Sequence, residues 1–503
     1  MEEPNVSPSL PFYLTYDDVL ILPGYSDVLP TQTQIQTQLS GTFPLNIPLV
    51  SAAMDTVTEY KTCISLAQHG GLGIVHKNLS IEEQAEEVRR VKKFEAGIIL
   101  NPLTIQKDIS IGQVKTLMKE HNISGFPVVE GTKLVGIITN RDLRFEIDPD
   151  EAVTKIMTPF EKLVTASLDI TLPKARALLK SHRIEKLPLV DRNQKLVGLI
   201  TYKDLHNLEK HPHAIKDTKG RLKVGAAIGA KPQDLERAET LSSAGVDVLV
   251  IDTAHGHSQG VIHQVKEVKK RLPHLLVIAG NVATAEATEA LIEAGADVIK
   301  VGIGPGSICT TRIISGVGAP QLTAVMVCAQ AARKHGKSVI ADGGIRYSGD
   351  IVKALAAGAD AVMVGSLFAG TDESPGEMVY YQGRSYKVYR GMGSIGAMKP
   401  KTGDRYPNKH LEITSLDVDD PDPKLVPEGV EGRVPYVGSL ANVLFQLMGG
   451  LKSGMGYVGA STISDLQTKA KMVRISTSGV RESHAHNIQI TQEAPNYILK
   501  PTL

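Results

Sequence analysis

Apolar residues along this chain fall into eight short runs that do not alternate with polar ones. They lie near Ile47–Ser51, Gly73–Val75, Val224–Ile228, Asp247–Ile251, Leu275–Ala279, Asp297–Val301, Ser338–Ala341 and Asp360–Val364. A run without alternation marks a strand buried on both faces, as in parallel sheets. Helical patterns separate the runs, and strands alternating with helices indicate βα units. Three units are near copies: Ala244-Gly-Val-Asp-Val-Leu-Val-Ile-Asp252, Ala294-Gly-Ala-Asp-Val-Ile-Lys-Val-Gly302 and Ala357-Gly-Ala-Asp-Ala-Val-Met-Val-Gly365. Each reads as a helix end, a glycine suited to a left-handed cap, and an apolar strand. Eight buried parallel strands predict an α/β fold, a (β/α)8 TIM barrel. A doubly wound open sheet is the alternative the pattern leaves.

A second repeat interrupts the first between its second and third strands. One copy reads His121-Asn-Ile-Ser-Gly-Phe-Pro-Val-Val, then Leu134-Val-Gly-Ile-Ile-Thr-Asn-Arg-Asp142. The other reads His182-Arg-Ile-Glu-Lys-Leu-Pro-Leu-Val, then Leu196-Val-Gly-Leu-Ile-Thr-Tyr-Lys-Asp204. Each copy predicts a helix, a strand, a turn and a strand ending in Thr-x-x-Asp, and fixed-period self-similarity of this kind marks tandem modules. The pair resembles tandem CBS domains. The expected organisation is barrel over residues 1–95, inserted pair over 96–208, and barrel again over 209–503. Insertions fall at surface loops because the core need not be disturbed.

Composition narrows the class. The formal net charge of +1 in 503 residues gives no electrostatic footprint for nucleic acid or membrane. Three cysteines, Cys63, Cys309 and Cys328, are too few and too odd for a disulfide framework, which fits a reducing cytoplasm. Met1-Glu-Glu-Pro-Asn-Val lacks a basic stretch followed by an apolar run, so no signal peptide is expected. No apolar run approaches the ~20 residues of a membrane helix.

In such a barrel the chemistry sits at the carboxyl ends of the strands. Those ends are polar and glycine-rich here: Asp252-Thr-Ala-His-Gly-His-Ser, Gly280-Asn281, Gly302-Ile-Gly-Pro-Gly-Ser-Ile-Cys-Thr-Thr-Arg312, Asp342-Gly-Gly-Ile345 and Gly365-Ser366. Barrels often hold a phosphate at their last two loops, and glycine lets backbone N–H groups approach an anion. Gly344, Gly365 and Ser366 supply that arrangement, with Ser307 as an added hydroxyl and Asp342 placed to accept from ribose hydroxyls. Phosphate plus ribose points to a nucleotide, whereas the plain alternative is that the glycines only make tight turns. Cys63 and Cys328 sit in helical patterns and read as small buried hydrophobes. Cys309 stands in a Gly-Ser-Thr loop at the catalytic end. A thiolate is the nucleophile, so a reactive cysteine needs a positive field or backbone donors nearby.

The loop Gly302–Arg312 resembles the catalytic loop of the inosine 5′-monophosphate (IMP) dehydrogenase and GMP reductase superfamily. Ser51-Ala-Ala-Met-Asp-Thr-Val57, Ala279-Gly-Asn-Val282, Ala341-Asp-Gly-Gly-Ile345, Val364-Gly-Ser366 and Tyr389-Arg-Gly-Met-Gly-Ser394 are similar to other segments of it. The resemblance runs from about Leu14 to Pro495. Within it, the inserted pair and Arg405-Tyr406 in a long segment (about 394–432), of the kind that forms an active-site lid, point to the bacterial-type dehydrogenase branch. Reductases are expected to lack the insert. Glu428, Lys300 and Pro305 agree with that subtype.

The resemblance implies oxidation of IMP to XMP with NAD. Cys309 would attack the purine C2, Arg405 would activate water with Tyr406, and Thr311 with Glu428 would offer a second proton path. It implies substrate contacts at Ser307, Asp342, Gly344, Gly365, Ser366, Tyr389, Met392, Gly393 and Glu428. NAD contacts are implied at Asp252, Asn281, Gly302 and Gly304, in an extended groove rather than a Rossmann domain. Potassium would be held by carbonyls of Gly304, Gly306 and Cys309, with Glu482, Ser483 and His484 of a neighbouring subunit. A cytoplasmic homotetramer or octamer follows, with adenine or guanine nucleotides at the CBS-like pair. The histidine pairs His211/His213, His255/His257 and His484/His486 have poor spacing for a transition metal. The competing readings are a GMP reductase, or a nucleotide-sensing protein with a vestigial barrel.

Overall fold

All eight apolar runs are strands of one parallel sheet: β1 (Leu49–Ser51), β2 (Ile74–Val75), β3 (Gly225–Ile228), β4 (Val248–Asp252), β5 (Leu276–Val282), β6 (Val298–Val301), β7 (Ser338–Asp342) and β8 (Ala361–Val364). The structure is a computed structural model that describes residues 10–94, 99–100, 102–121, 123–144, 148–202, 205, 210–398 and 426–497. Each strand lies beside its neighbours in sequence, and β8 pairs with β1. The ring closes where Ser51 N donates to Leu72 O and Leu72 N to Leu49 O, both at 3.0 Å. The expected barrel is therefore the observed one.

One helix follows each strand: α1 (Tyr60–Gln68), α2 (Ile81–Lys93), α3 (Asp234–Ser243), α4 (Gln259–Arg271), α5 (Ala285–Glu293), α6 (Gln321–Lys334), α7 (Ser348–Ala356) and α8 (Leu440–Val458). Leu322, Val325, Ala329 and Ala332 form the buried stripe of α6, spaced three to four apart as a helix packed on a sheet requires. Cys63 on α1 and Cys328 on α6 are both buried, as their helical patterns implied. Burial pushes the Cys328 thiol up to about 11.

The threefold repeat has a local cause. Gly245, Gly295 and Gly358 take φ of +92°, +108° and +110°, which reverses the chain after α3, α5 and α7 at little steric cost. Two residues on, an aspartate clasps the start of the preceding strand. The amides of Asp247, Asp297 and Asp360 donate to Val224 O, Val277 O and Val339 O at 3.0, 2.9 and 2.8 Å. Their carboxylates accept from the amides of the same three valines at 2.8, 2.9 and 2.8 Å. The Gly-x-Asp signature thus fixes strand register at the end of the barrel opposite the chemistry.

The chain divides into two compact units. The barrel unit comprises Met1–Val91, His213–Ile215 and Lys223–Leu503; the other comprises Lys92–Pro212 and Lys216–Leu222. The second unit carries the tandem repeat. Gly125–Glu130 pairs antiparallel with Lys133–Thr139, and Lys186–Val190 with Leu196–Thr201. Val128 faces Gly136 and Leu189 faces Gly198, and a bulge follows at the same point of both pairs. Each module keeps its own apolar cluster, around Phe126 and Ile138 in one and Leu187 and Ile200 in the other. The modules join through Leu134 N to Gln194 O (3.0 Å) and Leu196 N to Thr132 O (3.3 Å). In the first copy the Thr-x-x-Asp signature is a turn: Asp142 Oδ2 accepts from the amide and hydroxyl of Thr139, both at 2.8 Å. Its counterpart Asp204 lies outside the described residues.

After β8 the chain makes a three-stranded antiparallel sheet of Met378–Tyr381, Arg384–Arg390 and Glu431–Pro435. Arg390 faces Glu431 in that sheet, so the segment expected as a lid leaves and returns at neighbouring positions. Its described ends carry structure: Ile395–Met398 is a helical turn and Glu431 already belongs to a strand. Among the described residues no helix is long and apolar enough to cross a membrane.

Candidate active site

The carboxyl ends of the barrel strands open into a cavity of about 1040 Å³. Its wall contains every described residue singled out for substrate or dinucleotide: Asp252, Asn281, Gly302, Gly304, Ser307, Asp342, Gly344, Gly365, Ser366, Tyr389, Met392, Gly393 and Glu428. Gly306, Cys309 and Thr311 line it as well. Arg405 and Tyr406 lie outside the described residues. Ser483 and His484 lie elsewhere in the barrel unit, beside a second cavity of about 310 Å³ shared with Tyr347 and Tyr497. Glu482 and Ser483 end the C-terminal helix Thr477–Ser483 and His484 follows it, so the chain does not bring its own Glu482, Ser483 and His484 to the cysteine loop. Among the described residues no cluster of His, Cys, Asp or Glu is arranged to hold a metal ion.

The cysteine loop is shaped by backbone. Gly302 takes φ +153°, and a Cβ there would stand 2.1 Å from Asp342 O, so only glycine lets β6 and β7 end this close. Gln321, at the start of α6, ties the same two strands by donating to Val301 O (2.9 Å) and Asp342 O (3.1 Å). Arg312 folds back across the loop. Its Nε donates to Ile303 O at 3.1 Å, and its terminal nitrogen donates to Ala319 O. Cys309 is half-buried, with its thiol 3.2 Å from Thr311 Oγ1.

Two further segments meet this loop through main-chain bonds. Thr310 N donates to Glu428 O (2.9 Å) and Val430 N to Ile308 O (3.0 Å). Gly391 N in turn donates to Val430 O (3.0 Å), and Glu428 N to Gly393 O (3.1 Å). Residues 428–430 therefore lie between the cysteine loop and the Tyr389–Gly393 segment. Tyr389 is buried and bonded to Ser307, and burial pushes its phenol up to about 12. A Cβ on Gly365 would stand 3.0 Å from the Tyr389 hydroxyl. The two conjectured phosphate loops and the tyrosine thus share one wall.

Part of the cavity is lined by a charged network. Lys300 on β6 is 2% exposed and donates to Asp252 Oδ1 (2.8 Å), Asp342 Oδ2 (2.7 Å) and Asn281 Oδ1. Asn281 Nδ2 donates to Asp342 Oδ2 (2.9 Å) and Gly302 O (2.7 Å). Burial disfavours the Lys300 ammonium, but the Asp252 and Asp342 charges overcome it and hold the group above its ordinary range. Burial likewise works against the Asp252 carboxylate, and Lys300 with Lys77 more than offsets it, leaving Asp252 below the usual carboxylate range.

A half-buried cysteine and the aspartates of a carboxylate–lysine network line one cavity. The family model for the IMP dehydrogenase / GMP reductase domain matches residues 13–486. The chain belongs to the IMP dehydrogenase / GMP reductase family. It is 58% identical over 489 residues to the inosine-5′-monophosphate dehydrogenase of Aquifex aeolicus, covering 96% of this chain and 97% of that protein. It is 55% identical over 487 residues to that of Halalkalibacterium halodurans, covering 97% and 98%. A solved structure of a cysteine-to-alanine variant of GMP reductase from Trypanosoma brucei, in complex with guanosine 5′-monophosphate, superposes with a TM-score of 0.87 and 41% identity, covering 96% of this chain and 99% of that one.

That last match corrects one expectation. A family member named as a reductase aligns over 96% of this chain, leaving far fewer residues unmatched than the insert contains. The inserted pair therefore does not separate the two branches, and the weight passes to the dehydrogenase relatives. Sequence reasoning also missed parts of the site. Asp55 and Arg390 form a buried pair, Nε to Oδ1 at 3.1 Å and a terminal nitrogen to Oδ2 at 2.5 Å, which anchors the strand carrying Tyr389 to the end of β1. Lys77 reaches Asp252 O at 2.5 Å. The hub role of Lys300 had a readable signal. The matching positions of the other two repeat copies are Val250 and Met363, so a lysine there breaks an apolar strand.

Proposed function

We propose that this chain oxidises IMP to XMP, using NAD and water. Cys309 bonds to C2 of the hypoxanthine, and C2 gives up hydride to the nicotinamide. This leaves a thioimidate that water hydrolyses, so one NADH and one proton accompany each XMP. The observation that carries the reading is a half-buried cysteine in a glycine loop on the wall of a cavity large enough for two nucleotides. Asp342 and Gly344 at the end of β7, and Gly365 and Ser366 after β8, line that cavity.

In this reading Gly344, Gly365, Ser366, Ser307 and Tyr389 hold the phosphate, Asp342 the ribose, and Met392, Gly393 and Glu428 the base. Asp252, Asn281, Gly302 and Gly304 meet the dinucleotide. Arg405 activates the water, with Tyr406 beside it, and Thr311 with Glu428 gives a second path. An arginine base requires desolvation, because its free pKa is above ~12.

The carbonyls of Gly306 and Cys309 belong to one tight turn, closed by Cys309 N on Gly306 O at 3.1 Å, and Gly304 lies two residues before it. An all-oxygen main-chain set fits a monovalent cation such as potassium. When bound, the cation would fix the loop that carries the nucleophile. Glu482, Ser483 and His484 of a neighbouring subunit would complete its shell, which makes the working form a homotetramer or larger, in the cytoplasm. The inserted unit, about residues 96–208, is read as a regulatory pair for adenine or guanine nucleotides, and about 394–432 as the lid.

The test is NADH absorbance with IMP, NAD and potassium. Wild type is expected to turn over. Cys309→Ala is expected to form no NADH while keeping its circular dichroism spectrum, and retained turnover would refute the assignment. Ammonia release from GMP and NADPH, without NADH formation from IMP, would favour the reductase reading suggested by the Trypanosoma brucei match.

A further inference from the structure

Lys300 has no assigned task in the reaction above, yet it directs all three ammonium donors inside the site. It bonds Asp252 at the end of β4, Asn281 on β5 and Asp342 at the end of β7, three residues from three strands other than its own. Barrel packing does not require a lysine here, because the repeat places Val250 and Met363 at the equivalent points of β4 and β8. Burying an ammonium is unfavourable by several kcal/mol unless it is fully bonded, so the residue is retained against its desolvation cost.

The bonds are also selective about atoms. Lys300 engages one oxygen of each carboxylate, Asp252 Oδ1 and Asp342 Oδ2. It also fixes the Asn281 amide, since an oxygen that accepts from Lys300 turns Nδ2 toward Gly302 O and Asp342 Oδ2. Each aspartate keeps its second oxygen for a ligand, and both line the cavity.

We propose that Lys300 is a positioning residue that couples the two halves of the cavity, orienting Asp342 for the nucleotide ribose and Asp252 for the dinucleotide. A ligand that settles one carboxylate thereby orders the other through a shared ammonium. This rests on the assignment of IMP and NAD to the cavity made above. Among the described charged groups, only Lys77 shares the Asp252 end of the network, and it reaches the backbone carbonyl rather than the carboxylate.

The test is binding by titration calorimetry in a Cys309→Ala background, where no turnover consumes the ligands. Lys300→Met keeps the bulk of the repeat's Met363 and removes the charge. It is expected to weaken IMP and NAD each by at least tenfold. In the turnover-competent chain it should move the acid limb of the NAD KM profile to higher pH, because Asp252 has lost its main counter-charge. Lys300→Arg is expected to recover most of both effects.

A second variant does not depend on Lys300→Met folding. Asp252→Asn, which lies on the dinucleotide side, is expected to weaken IMP by at least threefold through Lys300. Unchanged IMP affinity in Asp252→Asn overturns the coupling, as does a Lys300→Met chain that loses only one ligand or neither. Failure of the parent Cys309→Ala chain to bind IMP or NAD at all would instead sink the functional reading and leave nothing to couple.

Discussion

Removing the Arg390 guanidinium tests how the substrate wall is held. Asp55 is 1% exposed at its side chain and Arg390 23%, so Arg390→Met strands a buried carboxylate. Deleting one partner of a buried pair is unfavourable by about 3–5 kcal/mol. Asn78 still donates to Asp55 Oδ2 at 2.7 Å, and Arg390 reaches some solvent, which puts the expected loss near the lower end, about 3 kcal/mol. The loss carries a pH signature. Burial raises the Asp55 carboxyl, but the bonds and charge of Arg390 overcome it and hold the group below its ordinary value. A depressed carboxylate stabilises the fold above its unfolded pKa of about 3.9 and loses that contribution as pH falls through the folded value. The variant lacks this contribution, so the gap from wild type should be full at pH 7 and shrink only below about pH 4. Urea unfolding followed by circular dichroism at several pH values measures it. The KM for IMP should rise with it, because Tyr389 precedes Arg390 on the strand that the pair anchors. A loss under about 1 kcal/mol would refute the reasoning. So would an equal loss when Arg390→Met is made on Asp55→Asn, since the arginine would then be acting through some other group.

Three other perturbations follow from the same geometry. Gly365→Ala places a Cβ 3.0 Å from the Tyr389 hydroxyl and 3.4 Å from Met54 Sδ; overpacking of this kind destabilises by about 1–3 kcal/mol, and the KM for IMP should rise more than the KM for NAD. Gly429→Ala sets a Cβ 3.2 Å from Gly393 C and Ser394 N and 3.4 Å from Ile308 O; it should lower kcat and change the alkylation rate of Cys309, and an unaltered rate would mean the loops are not coupled. Asp360→Asn keeps an acceptor for Val339 N while removing a carboxyl that burial pushes up to about 6. A raised carboxyl stabilises below pH 4 and loses that contribution as pH rises through 6, so the variant should gain on wild type by up to about 3 kcal/mol between pH 4 and 7 in urea unfolding.

The barrel was legible because its strands are apolar on both faces and its helices end in glycine, signals that are local and repeated. The site was legible as far as it consists of loop residues placed by strand order. Once β6 and β7 are recognised, Cys309 and Asp342 fall at the mouth without further information. The Asp55–Arg390 pair joins residues far apart in sequence, and neither residue type announces a partner at a distance. The Gly-x-Asp repeat was read as a helix stop, and its second half, the aspartate that clasps the preceding valine, emerged only from the hydrogen bonds. The resemblance placed Glu428 at the site, but the pairing of residues 428–430 with the cysteine loop was invisible for a more basic reason: main-chain pairing leaves no side-chain signature.

That main-chain pairing bears on how a reactive loop is kept in shape without being rigidly packed. Cys309, Glu428 and Met392 sit on three segments that hold one another through amide–carbonyl bonds. A backbone bond is indifferent to side-chain identity, so the side chains facing the cavity remain available for ligand and can differ among relatives while the loop path persists. Each such bond contributes only about 1 kcal/mol net, small enough to be exchanged during a catalytic cycle. The carboxylate network is built the opposite way, around one buried ammonium that is strongly unfavourable to leave unpaired. A carboxylate network fixed by one buried ammonium, beside loops tied only by exchangeable backbone bonds, suits the proposed reaction, in which the sulfur must first approach and then release a carbon of the substrate.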